Sequence, residues 1–106
     1  MTVNTVTLEK MRRLETIYRR GGQSDLIDRT VDKLLDLEQA RALRELAELD
    51  QHLTAFEQQY QLPSDLFYAR YEAGQLEDSA DFMEWSSFYD MRRAAQQYLD
   101  WLRGEG

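Results

Sequence analysis

The spacing of apolar positions changes along this chain of 106 residues, and each change marks an expected element. In Val3-Asn4-Thr5-Val6-Thr7-Leu8, five of six residues are β-branched or apolar, and the stretch ends in a period of two. That pattern predicts a short strand with Val6 and Leu8 on one face and Val3, Thr5 and Thr7 on the other. Nothing downstream reads as a second strand, so the expected pairing partner is the same strand of another copy, giving a homodimer. From Met11 the spacing becomes helical. Met11, Leu14, Ile17 and Tyr18 predict an amphipathic helix over 9–20, with Lys10, Arg12, Arg13, Arg19 and Arg20 on its other face. Gly21-Gly22 ends it, and Ser24 is placed to cap a second helix whose expected buried stripe is Leu26, Ile27, Val31, Leu34 and Leu35.

Asp25 to Tyr60 holds neither Gly nor Pro and is dense in good helix formers. One long helix over this stretch stays open, but the apolar phase shifts near Glu38 to Ala42, which favours a second helix that ends or bends there. A third segment follows, with Ala42, Leu46, Leu49, Leu53, Phe56 and Tyr60 as the seam of a helical hairpin. Leu62-Pro63-Ser64-Asp65 breaks the helix, a short helix over 65–73 closes at Gly74, and Asp78 or Ser79 caps a last helix over 80–102.

Charge divides the chain. Residues 1–23 hold five Lys or Arg against two Glu, whereas the formal net charge of the whole is −7, so residues 24–106 carry −10. A basic end suits phosphate, and an acidic body suits a basic protein partner. The chain has no Cys, which removes disulfides and thiolate metal sites and makes a cytoplasmic location the expectation. No apolar run is long enough to span a bilayer and no signal-peptide pattern opens the sequence, so no membrane is expected.

The order strand, helix, Gly-Gly turn, helix, with Thr5-Val6-Thr7-Leu8 in the strand and Gly22-x-Ser24-x-Leu26-Ile27 before a Val31-bearing helix, resembles the ribbon-helix-helix family of bacterial repressors and antitoxins. The resemblance covers about the first third of the chain. It implies a dimeric β-ribbon in the major groove of double-stranded DNA, with Val3, Thr5 and Thr7 facing the bases and Gln23, Ser24 and Asp25 near a backbone phosphate. Arg12 and Arg13 are the candidate cations for neighbouring phosphates. The segments Leu66 to Gly74 and Asp81 to Trp85 are also similar to C-terminal halves of small bacterial antitoxin-like proteins.

Nine of the twelve aromatics lie after residue 61, too many for one narrow stripe. Phe67, Tyr71, Phe82, Trp85 and Tyr89, beside the acids Glu77, Asp78 and Asp81, are the expected partner-binding residues; a core of the same aromatics between three helices stays open as the alternative. Catalytic signals are lacking: His52 is the sole histidine, and acids at 77, 78, 81 and 84 need only a helix dipole to explain them, so neither enzyme, metal nor cofactor is expected. The expected fold is mostly α: a ribbon-helix-helix dimerisation unit over 1–40, with one short strand per chain, and a helical partner-binding region over 41–106. The expected function is the antitoxin of a toxin-antitoxin pair, a transcriptional repressor that also neutralises a cognate toxin. The alternative is a helical adaptor or assembly protein without DNA binding.

Overall fold

The computed structural model describes residues 3–105 and is helical: α1 spans Thr5–Arg19, α2 Asp25–Tyr60, α3 Ser64–Glu72 and α4 Ala80–Leu102. No strand occurs among the described residues, so the expected β-ribbon is overturned; Thr2, which opens the candidate stretch, lies outside the described residues. Asn4 shows why. Its side-chain oxygen accepts the backbone N–H of Thr7 at 3.1 Å and its carbonyl accepts that of Leu8 at 3.0 Å, which starts a helix at Thr5. The Thr7 and Leu8 donors, which a lone strand would leave bare, then have partners inside one chain. Val3, Val6, Met11 and Leu14 also fall on one side of a helix at about 100° per residue, so the helical period already runs through the supposed strand. The β propensity of Val and Thr is context-dependent, and here it yields to the cap and the period.

Two glycines stop α1. Gly21, at φ +92°, donates to the Tyr18 carbonyl at 3.2 Å, and Gly22 donates to the Ile17 carbonyl at 2.9 Å. These two bonds make a Schellman closure. A Cβ on Gly22 would collide with Ile17 Cγ2 and lie 2.9 Å from the Ile17 oxygen, so the turn admits no side chain there. Ser24 then caps α2 as expected, its Oγ accepting the Ile27 N–H at 3.1 Å.

The break expected near Glu38 to Ala42 is absent: α2 is one helix of 36 residues. The phase shift is real but has another meaning. The stripe Leu26, Leu34 and Leu37 is rotated by roughly 135° from the seam Ala42, Leu46, Leu49 and Leu53, so the helix serves one face in its first turns and another afterwards.

The chain divides into two compact units, residues 1–35 and 36–106. In unit 2 the rest of α2 packs against α3 and α4. Ala42, Leu46, Leu49, Ala95 and Leu99 form one core cluster, and Leu53, Phe67 and Trp85 form a second, both flanked by half-buried Phe88. The α2–α3 corner is made by Gln61, in the left-handed region at φ +52°, and by Pro63 at the N-cap of α3. Because Pro63 has no capping side chain, Glu57 supplies the acceptor, its Oε2 receiving the Ser64 N–H at 2.8 Å. α3 closes at Gly74 and Ser79 caps α4 through the Phe82 N–H at 3.1 Å, both as the sequence predicts.

Candidate protein-interaction surfaces

The aromatics of unit 2 are first of all a core. Phe67 and Trp85 are both 0% exposed, with ring centroids 3.8 Å apart and planes within 1°. Trp85 is the polar risk in that stack, and its indole Nε1 donates to Ser64 Oγ at 2.9 Å, leaving no buried side-chain donor or acceptor unpaired among the described residues. Phe82 and Tyr71 stack or tilt on Phe67 and are half-buried. Tyr89 is half-buried and stacks on Tyr68 at 4.3 Å. Of the aromatics chosen from sequence, then, Phe67 and Trp85 are closed to a partner, while Tyr71, Phe82 and Tyr89 are only partly accessible. His52 is exposed and stacks on Phe88 at 4.2 Å.

All six tyrosines donate their hydroxyl to a carboxylate. Tyr68 reaches Asp90 at 2.6 Å, Tyr89 reaches Asp65 at 2.8 Å, Tyr18 reaches Asp28 at 3.0 Å and Tyr71 reaches Asp78 at 3.1 Å. Tyr60 donates to Asp81 and Tyr98 to Glu38. A bond to an ionised acceptor favours the protonated phenol, and each of these tyrosines is held above its ordinary value of 10.0. The hydrogen bond is the larger cause except at Tyr71, where burial comes first. Glu38 is held below its ordinary range, mainly by Arg41, which grips it through Nη2 at 2.6 Å, and then by Tyr98. Asp78 and Asp81 thus each accept a tyrosine hydroxyl, while Glu77 and Asp78 are exposed and Asp81 is half-buried.

Unit 1 is built differently. None of its described residues is buried; Leu8 and Ile27 alone are half-buried. The stripe expected inside is outside: Leu14 is 50% exposed, Leu34 55% and Leu26 76%, with Val6, Met11, Ile17 and Val31 also open. Sequence reasoning found this stripe and gave it a core; the phase shift in α2 was the signal that it faces elsewhere. The candidate DNA-binding residues are not gathered into a ribbon. Val3 precedes α1, Thr5 and Thr7 lie in its first turn, Gln23 lies in the turn before α2, and Ser24 is spent as a cap. Arg12 and Arg13 lie on the polar side of α1 with Glu9 and Thr16, where Arg13 pairs with Glu9 at 2.9 Å.

Unit 1 holds seven Lys or Arg against five Asp or Glu, while unit 2 holds six against fifteen. No helix is long and apolar enough among the described residues to cross a membrane. No family model matches the chain, and no curated protein or solved structure resembles it significantly.

Proposed function

We propose that this chain is a helical adaptor, in which unit 2 is a folded acidic platform and unit 1 is an amphipathic arm that docks helix against helix. The observation that carries this reading is the bare apolar stripe of unit 1. α1 has 15 residues, no buried side chain and a first turn rich in Thr and Val. Isolated helices of about 12–15 residues are marginal in water even for better sequences. The Asn4 cap and the pairs Glu9–Arg13 and Glu15–Arg19 support it locally, but such pairs add only about 0.2–0.5 kcal/mol each. A covering surface supplies the rest, so folding of the arm and docking are one event.

Hydrogen exchange tests this. Backbone amides of α1 should be protected in the assembled protein and should exchange nearly freely when Leu14→Glu removes the docking face, while unit 2 stays protected. Protection of α1 that survives Leu14→Glu in dilute monomer would remove the reading, because the helix would then need no cover.

A second reading keeps the neutralising half of the antitoxin expectation and rests on the acidity of unit 2. Such a surface steers a basic protein and speeds encounter. Neutral amides at Glu77, Asp78 and Asp81 should slow association with a basic partner and flatten its salt dependence. An association rate indifferent to salt would count against it.

A further inference from the structure

This inference rests on the adaptor reading and names what covers the arm. We infer that the bare stripe of unit 1 is occupied by a second copy of this chain, with α1 of each protomer lying against the first turns of its partner's α2.

Charge selects that pairing. Residues 3–20 hold five Lys or Arg against two Glu, whereas residues 24–38, at the start of α2, hold two against five Asp or Glu. An α1 set on another α1 brings like charge together; α1 set on the partner's α2 brings +3 to −3. The two contacts of the second arrangement are related by one two-fold axis, so the assembly closes as a dimer instead of growing.

Length agrees. The stripe of α1 from Val6 to Ile17 and that of α2 from Leu26 to Leu37 each span 12 residues, about 18 Å at a rise of about 1.5 Å per residue, so each is long enough to cover the other.

Area agrees as well. Unit 1 exposes ten large apolar side chains at about a third or more of their surface. Burying such a side chain fully removes roughly 60–120 Å² from water, so ten that are about half covered have on the order of 400 Å² of apolar surface left. In an interface that is about 60% apolar this corresponds to roughly 700 Å² per copy, close to the approximately 800 Å² per partner of a stable protein complex.

The test uses the full chain. Sedimentation at micromolar concentration should give twice the 12.6 kDa chain mass, and Leu14→Glu should return it to the monomer, whereas Thr16→Glu on the polar side of α1 should leave the dimer intact. Because the chain has no Cys, introduced thiols report geometry cleanly. A mixture of Met11→Cys and Leu34→Cys chains should form the mixed interchain disulfide in preference to the Met11→Cys pair. A monomer at every concentration overturns the inference, as does a dimer indifferent to Leu14→Glu, or α1 thiols that cross-link only with each other. The adaptor reading is separately decided by exchange: a monomer whose α1 amides are unprotected leaves that reading standing with a different occupant, and one whose α1 amides are protected ends both.

Discussion

Units 1 and 2 are made of similar residues at similar helical spacing, yet one has a core and the other has none. The difference is not hydrophobicity, since Leu26, Val31 and Leu34 are as apolar as Leu46, Leu49 and Leu53. It lies in what each stripe meets within the chain. The second meets two further helices and a stacked aromatic pair, and the first meets nothing that buries it. A binary pattern therefore specifies that a face will be covered, but not by whom. In unit 2 the cover is intramolecular and unit stability follows; in unit 1 no described side chain is buried, and the proposed docking starts from that bare stripe.

The sharpest break between the two units is expected at Trp85. Trp85→Ala empties the centre of the aromatic stack and orphans the Ser64 hydroxyl, and should cost about 3–5 kcal/mol of unit 2 stability in urea unfolding. A loss below about 1 kcal/mol would mean that the stack is loosely held and that the contrast between the units is overstated.

A matched pair sharpens the same point. Leu46→Ala, at a position 6% exposed, should cost about 2–5 kcal/mol at any protein concentration. Leu14→Ala should cost far less in dilute protein, because half of that side chain is already in water, and more as concentration rises and the stripe is covered. Thermal melts of both variants across a dilution series check it. Equal and concentration-independent losses would place Leu14 in a core and erase the distinction.

What could be read from sequence followed the range of the interaction. Pro63, Gly74, Ser79 and Ser24 act within a few residues, and the bounds they set for α3, α4 and the start of α2 agree with the structure. Asn4 acts as locally, but its signal lost to the β-branched residues around it. The continuity of α2 was hidden because a phase shift has two physical causes, a broken helix or a change of partner. The tyrosine–carboxylate pairs were out of reach. Tyr68 to Asp90 and Tyr98 to Glu38 span 22 and 60 residues, and no periodicity announces a pair that tertiary packing makes. The candidate partner surface was legible as a cluster of aromatics, but which of them fill the core depended on how α3 lies on α4.

The caps provide a finer comparison. Ser79→Ala and Asn4→Ala each remove one side-chain acceptor from a helix start, at a typical cost of about 1 kcal/mol. In α4 that loss should appear as a small shift in the melting of unit 2, with no loss of helix content before the transition. In α1, which has no buried side chain behind it, the same loss should appear as fraying of residues 5–8 in amide exchange. If both variants only shifted a common transition, the two units would be unfolding as one.

Alkaline titration should show the smallest effect per group, since these hydroxyls lie near the surface where solvent screens their bonds. A phenol held above 10.0 in the folded chain stabilises it fully below that pH, and the contribution is lost as pH rises through the folded value. Five of the six pairs belong to unit 2, the tyrosines being 60, 68, 71, 89 and 98, and only Tyr18 belongs to unit 1. Above about pH 10, unit 2 should therefore lose stability progressively, and tyrosinate absorbance should rise later in the folded protein than in urea. Tyr68→Phe, which deletes one donor to Asp90 and leaves its ring on Tyr89, should remove one late-titrating phenol and slightly reduce the alkaline slope. Glu38 runs the other way: held low by Arg41 and Tyr98, it stabilises the fold above its ordinary value of 4.5 and loses that contribution as pH falls, so Glu38→Gln should flatten the acid limb and, by taking the charged acceptor from Tyr98, bring that phenol's titration earlier. If the tyrosines of the folded chain titrated together with those in urea, the hydroxyl–carboxylate pairs would contribute nothing to what separates unit 2 from unit 1.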